Sequence, residues 1–332
     1  MIISRTPVRI SIAGGGTDLP SYYRKFGSFF ISAAINKYIY IIAFRRPEYY
    51  PEIYLRYSKV EIVNSVNKLR HDLAREALKL LGIKKAIEIT SIADVKAETG
   101  LGSSSSYTVG LLHALHAYKR ENVPIQALAE EACKLEIGRL KRPIGKQDQY
   151  STAFGGINCY EIDKKGYVTV EPLRISYNIA NELEQNLLMF FTGIRRDAAK
   201  ILRHQNQSTL RNEKEMINNL HYVKELAWQI RRVLEQGQLR KFGELMHEHW
   251  LTKQKRQAKI MFPAAKKIER WYSIARANGA IGGKIVGAGG GGFFIFYCKD
   301  QKDNLRKALA REGLIETPFQ FDYEGTKIIL NF

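Results

Sequence analysis

Over the first sixty residues apolar and polar positions alternate. Val8-Arg9-Ile10-Ser11-Ile12 has the period of two expected of a strand with one face buried and the other in water. It runs into a glycine loop, Ala13-Gly14-Gly15-Gly16-Thr17-Asp18. Residues 28–34, 38–45 and 53–57 are rich in β-branched and aromatic side chains and predict further strands. The period then lengthens. Leu69, Leu73, Ala77, Leu80 and Leu81 mark one face of a helix over 68–81, stopped by Gly82. A strand-like run at 87–92 leads into Glu98-Thr99-Gly100-Leu101-Gly102-Ser103-Ser104-Ser105-Ser106, and that stretch opens a helix over about 104–118. Pro124 starts another helix, which carries Leu128, Ala132, Leu135 and Glu136. Residues 142–150 read as a polar turn, and 155–160 with 167–172 as a hairpin.

The second half has a different texture. After a strand at 187–192, residues 197–260 are helical in pattern almost throughout. Met216, Leu220, Val223, Ala227, Ile230 and Leu234 fall in steps of four and three, one apolar stripe that faces a core. A helix at 269–277 ends at Asn278-Gly279. Lys284-Ile285-Val286 then passes through Gly287-Ala288-Gly289-Gly290-Gly291-Gly292 into an aromatic strand at 293–297, followed by a helix at 302–312 and a strand at 327–332. Strands and helices segregated in this way predict an α+β fold. The 332 residues have room for two domains, placed here at 1–178 and 179–332.

Composition narrows the class. Hydrophobic and charged contents of 45% and 26% are those of a globular protein. Cys133, Cys159 and Cys298 are sparse, odd in number and without a CxxC, which predicts no disulfide framework and a reducing, cytoplasmic setting. The N-terminus has no signal-peptide pattern, and the apolar runs at 38–44 and 293–298 are too short to cross a membrane. The net charge of +19 is unusual. It permits a nucleic-acid or membrane surface, and it equally steers small anionic substrates. Basic residues are scattered, densest at Lys253, Lys255, Arg256 and Lys259, and read mostly as a solvated surface.

The serine-rich stretch carries the first chemistry. Its two glycines allow a tight turn and close approach of backbone to a ligand. Its serines crowd a helix N-terminus, where free N–H groups and the dipole favour an anion. This is a phosphate cradle without a Walker lysine, and as an isolated segment it is equally an ordinary serine N-cap. Gly287–Gly292 formally matches G-x-G-x-x-G but precedes a strand, so it reads as a loop closely approached by backbone or phosphate. Asp148 and Glu136 could divide general-base and cation-holding roles, with Arg9 offsetting charge; alone, they are equally surface ion pairs. His113 with His116 lacks a third metal ligand, and His247 with His249 does not share a helical face.

Taken in order, the motifs Arg9–Asp18, Gly100–Ser105 and Lys284–Gly292 resemble the three motifs of the GHMP kinases, across nearly the whole chain. Within that superfamily the sequence is similar to the D-glycero-D-manno-heptose 7-phosphate 1-kinases. The likeness is carried by Arg5-Thr6-Pro7-Val8-Arg9, by Gly14-Gly15-Gly16-Thr17-Asp18-Leu19-Pro20, by Lys146-Gln147-Asp148-Gln149-Tyr150 and by Phe190-Phe191-Thr192-Gly193-Ile194. The resemblance implies a ribosomal-protein-S5-like N-terminal domain and a ferredoxin-like C-terminal domain, with ATP between them. It implies that Gly100, Leu101, Gly102, Ser103, Ser104, Ser105 and Ser106 wrap the ATP phosphates, and that Ser104 and Glu136 hold Mg²⁺. Asp148 would be the base, with Arg9 beside it. Gly15, Gly16, Thr17, Asp18, Gly289 and Gly290 would meet the sugar.

Gly15-Gly16 replaces the Glu-His pair of galactokinase and leaves room for a larger or substituted sugar. Arg195-Arg196 could supply a clamp for a sugar phosphate, and equally reads as a surface difference. The expected partners are therefore a sugar phosphate and ATP, with no membrane and no assigned oligomeric state. A fucose- or galactose-type 1-kinase is the alternative within the family. A non-catalytic nucleic-acid-binding relative is the alternative outside it, and the lack of basic clustering with interleaved aromatics speaks against that.

Overall fold

The computed structural model describes residues 1–47, 49–96, 99–194, 198–257 and 264–332. Glu98, Arg195, Arg196 and Lys259, singled out above, lie outside the described residues.

The first strand, β1 (Ile2–Ala13), and helix α1 (Pro20–Phe26) flank the glycine loop. Pro20 at the first turn and Gly27 at φ +64° set the limits of α1. Strand β2 (Ser28–Arg45) is eighteen residues long and forms the spine of the first sheet. It pairs with β1 along its length, with β5 (Ile87–Ala93) at its C-terminal half and with β6 (Ile157–Ile162) at its N-terminal half. Strands β3 (Ile53–Arg56) and β4 (Val60–Val63) extend the sheet beyond β5, and β7 (Val168–Pro172) pairs with β6 as the expected hairpin. Helix α2 (Asp72–Leu80) is capped by the His71 side chain. Helix α3 (Ser103–Tyr118) is buried on nearly all sides, crossing both β1 and β2. Helix α4 (Ile125–Cys133) widens into a π-helical turn at Lys134–Arg139, and α5 (Gln147–Phe154) follows. The expected polar turn is thus half helix: Gln147 begins α5, because Asp18 binds the Gln147 amide and fixes the entry into the helix.

After α6 (Tyr177–Asn186) and β8 (Leu187–Phe191) come three long helices, α7 (Ala198–Leu210), α8 (Lys214–Glu235) and α9 (Leu239–Gln257). Then come α10 (Ala265–Ala277), β9 (Gly282–Ile285), β10 (Phe293–Tyr297), α11 (Lys302–Arg311), β11 (Ile315–Glu316) and β12 (Lys327–Asn331). The second sheet is antiparallel, in the order β11-β8-β10-β9. The last strand, β12, returns to the first sheet and pairs with β1. The predicted stripe on α8 is buried, and Trp228 of that helix stacks on Phe29 of β2 with ring centroids 3.6 Å apart. One apolar core therefore runs from the first sheet into the helices of the second half.

The alternation in Val8–Ile12 has a different meaning from the one expected. All five residues are buried. Helices α3 and α5 pack on β1, so its polar face does not meet bulk water; Arg9 and Ser11 instead point into a cleft. No helix among the described residues is long and apolar enough to cross a membrane.

Candidate active site

The cleft has a volume of about 900 Å³ and opens between β1, the start of α3, α5, α7 and the C-terminal glycine loop. Its floor is a charge pair. Arg9 is held by β1, and its Nε and Nη2 both reach Oδ1 of Asp148, at 2.8 and 2.7 Å. Nη1 of the same guanidinium donates to the Gly100 carbonyl at 2.7 Å, which ties the pair to the serine loop. Oδ2 of Asp148 faces Gly102, where an added Cβ would come within 3.4 Å. Gly102 has φ +77° and precedes α3 with no side-chain cap, so the first amides of that helix open toward the cleft. A glycine is needed for both the backbone angle and the space. The resulting cradle suits an anion.

Beside it lies a second carboxylate. Glu136 is 0% exposed and accepts hydrogen bonds from Ser105 Oγ (2.7 Å), Gln149 Nε2 (2.6 Å), Ser104 Oγ (3.1 Å) and Arg142 Nη1 (3.3 Å). Burial pushes its carboxyl up, and these donors pull against that. Glu136 lies buried within the π-helical turn. Arg142 also donates to Ser104 Oγ at 2.7 Å and grips Asp72 with two bonds of 3.0 Å. A buried carboxylate next to a serine hydroxyl is an all-oxygen donor set, and among the described residues the cation compensating it is the Arg142 side chain, shared with Asp72. This arrangement fits a hard divalent cation such as Mg²⁺.

The glycine loop from Gly14 to Asp18 forms the opposite rim. Gly15, Gly16 and Asp18 line the cleft. Asp18 accepts from the amides of Gly16 (3.0 Å) and Gln147 (3.1 Å); burial, with Asp148 nearby, raises its carboxyl above the usual range. Thr17 turns inward: its hydroxyl is committed to the Gly14 carbonyl and Ser28, so it holds the loop's shape and does not face the cleft. Leu101 and Ser106 are likewise buried, Ser106 donating to the Pro7 carbonyl, while Gly100, Ser103, Ser104 and Ser105 line the cleft. From the third motif Gly287 and Ala288 line it, and Gly289 and Gly290 follow directly. Gly292 lies so close to Thr99 that a Cβ there would collide with the Thr99 carbonyl oxygen, so this loop packs on the serine loop.

Sequence patterns missed several groups. An aromatic cluster, with Tyr57 edge-on against His71 (4.7 Å between ring centres) and His71 against Tyr107 (4.9 Å), lines the cleft. Arg142 lies in the stretch read as a polar turn, and no spacing rule connects it to Asp72. The basic cluster read as solvated surface is a lining in part: Lys253 is 3% exposed, and Arg256 lines the cleft. Their i, i+3 spacing, which puts both on one helical face, was the available signal.

Comparison with known proteins agrees with this architecture. Residues 64–156 match the family described as GHMP kinases N terminal domain, and residues 228–315 match GHMP kinases C terminal. The chain is 31% identical to the D-glycero-alpha-D-manno-heptose 7-phosphate kinase of Campylobacter jejuni, over 98% of each chain. It is 25% identical to the L-fucokinase/L-fucose-1-P guanylyltransferase of Bacteroides fragilis, over 92% of this chain and 35% of that one. Among solved structures, a D-glycero-D-manno-heptose 1-phosphate kinase from Bacteroides thetaiotaomicron superposes with a TM-score of 0.80, at 24% identity and full coverage of both chains.

Proposed function

This chain belongs to the GHMP kinases and is an ATP-dependent sugar kinase, and we propose that its acceptor is D-glycero-D-manno-heptose 7-phosphate, phosphorylated on the anomeric hydroxyl to the 1,7-bisphosphate. The observation that carries the choice of acceptor is the full-length likeness to a heptose 7-phosphate kinase. The Arg9–Asp148 pair beneath the serine loop supports the chemistry.

In this reading Asp148 accepts the proton of the attacking hydroxyl through Oδ2, the oxygen that Arg9 leaves uncommitted. The acceptor oxygen bonds to the γ-phosphorus as the bond from that phosphorus to the bridging oxygen breaks, and ADP leaves. Phosphoryl transfer depends mostly on positioning and on stabilising spread charge. The amides at the start of α3 would face that charge, and Arg9, bonded to Asp148 and the Gly100 carbonyl, would add positive field beside it. Ser104 and Glu136 would hold Mg²⁺, which when bound neutralises phosphate charge. Arg142 would then give up Glu136 and remain on Asp72. The aromatic wall at Tyr57, His71 and Tyr107 would face the adenine. The three described cysteines are buried and unpaired, which supports a cytoplasmic enzyme.

The deciding experiment measures ADP release with Mg-ATP against heptose 7-phosphate, unphosphorylated heptose, fucose, galactose and mevalonate. Turnover confined to the phosphorylated heptose is the expected result. Turnover with a neutral sugar in its place would retain the kinase and discard the phosphorylated acceptor.

A further inference from the structure

The rim of the cleft at Gly15 and Gly16 holds two cations that form no ion pair among the described residues. Lys284 of β9 is 1% exposed, and its Nζ donates to the Ile12 carbonyl at 3.0 Å; it has no carboxylate partner among the described residues. Arg256, near the end of α9, is half-buried as a residue. Its Nη2 makes one long bond of 3.4 Å to the Gly15 carbonyl, and its Nη1 is shut off from solvent with no hydrogen-bond partner among the described residues. Gln205 of α7 stands next to it and donates to the Gly16 carbonyl at 2.9 Å. A Cβ on Gly16 would lie 3.0 Å from the Gln205 amide nitrogen and 3.4 Å from Arg256 Nη1, so the bare glycine leaves both groups facing the cleft.

A guanidinium has five donors, and burying it with one long bond to a carbonyl is costly. The cost shows in the titration of both cations: burial, then the neighbouring Arg9 and Arg256, moves Lys284 down to about 7, and burial moves Arg256 down to about 10 against the pull of Asp18. An anion entering here would meet unspent donors and relieve that repulsion. The nucleotide phosphates have their own cradle at Gly100–Ser105, on the side of Glu136. Arg256 and Gln205 close on the acceptor loop instead.

We propose that Arg256, with Gln205 at its side and Lys284 adding to the field, forms the subsite for the phosphate group carried by the sugar acceptor, and so makes the enzyme select phosphorylated over neutral sugars. This rests on the reading of the acceptor given above. It places the phosphate contact on α9.

The test is kcat and KM for D-glycero-D-manno-heptose 7-phosphate and for the same heptose without its phosphate, in wild type, Arg256→Gln and Arg256→Lys. In Arg256→Gln the KM for the phosphorylated heptose should rise about 30-fold or more, while kcat/KM for the neutral heptose stays within about twofold. Arg256→Lys should recover part of the loss, since it keeps charge without the planar fork. An unchanged KM for ATP reports an intact fold. A wild type that prefers the phosphorylated heptose, with that preference intact in Arg256→Gln, overturns the subsite alone. An equal loss on both heptoses also overturns it and makes Arg256 a structural clamp between α9 and the acceptor loop. A wild type that uses both heptoses equally, or neither, overturns the acceptor assignment and the subsite with it.

Discussion

The two ends of the cleft handle charge in opposite ways. At the serine-loop end the carboxylates among the described residues are matched from within the chain: Asp148 by Arg9, and Glu136 by Arg142, which also holds Asp72. At the acceptor end Lys284 and Arg256 are bonded to carbonyl oxygens, and Asp18 spends its oxygens on backbone amides. The first arrangement is a site already assembled, in which Arg9 holds the Asp148 carboxylate in one orientation. The second is a site left open, with donors buried at a cost that a bound anion repays. Preorganisation at one end and unmet charge at the other are what a kinase needs if its chemistry is fixed and its selectivity lies in the acceptor.

The largest effect should come from breaking the assembled end at its base. Asp148→Asn keeps the shape and the Arg9 contact but cannot take a proton. It should lower kcat by about 10³-fold, within the range for loss of general base catalysis, with ATP affinity nearly unchanged. Single-turnover kinetics and nucleotide titration separate the two. Retained turnover would remove Asp148 as the base and leave the pair a structural link between β1 and α5.

Next in size is the neighbouring carboxylate. Glu136→Gln keeps the contacts from Ser105 and Arg142 but removes the charge. The Mg²⁺ concentration for half-maximal rate should rise about tenfold or more, because a hard cation depends on anionic oxygen. Direct Mg²⁺ titration in the presence of ADP gives the same comparison without turnover. No change in either would assign Glu136 to holding α3 against the π-helical turn.

The open end can be probed through stability. Lys284 has a folded-state value near 7 against 10.5 in the unfolded chain, so the folded protein binds fewer protons between those limits. Its contribution to stability is therefore least at low pH and grows as pH rises through 7 toward 10.5. Lys284→Met should cancel this slope, so that wild type gains about 2–3 kcal/mol relative to the variant between pH 6 and pH 9. Denaturant unfolding of both proteins at several pH values measures it. Parallel pH profiles would mean that Lys284 is matched by charge, and the contrast between the two ends would fail.

The legible parts were those with a periodic or local cause. The α8 stripe, the β6–β7 hairpin, the glycine turns and the helix after the serines follow from spacing alone, and three motifs in order marked the cleft. The rest depended on contacts between distant residues. Arg142 meets Asp72 across seventy positions, and β12 pairs with β1 across the length of the chain. Alternation at Val8–Ile12 was readable, but whether its polar face met water or a cleft depended on α3 and α5. The basic cluster on α9 looked like surface because charge in a sequence carries no sign of burial; the acceptor loop that covers Arg256 is 240 residues away.

The smallest effect separates backbone strain from site geometry. Gly82 and Gly102 have similar angles, φ +69° and +77°. A Cβ at Gly82 meets nothing, since this glycine ends α2 in open space. At Gly102 it would sit 3.3 Å from Arg9 Cγ and 3.4 Å from Asp148 Oδ2. Gly→Ala at either position should cost about 1–2 kcal/mol, the penalty for a side chain in left-handed backbone. At 82 the loss should end there, with kcat unchanged. At 102 the methyl group crowds Asp148 Oδ2, the proposed proton acceptor, so kcat should fall beyond anything the stability loss explains. Equal kcat in the two variants, measured well below their melting temperatures, would show that Asp148 tolerates displacement and that the assembled end is less rigid than its contacts imply.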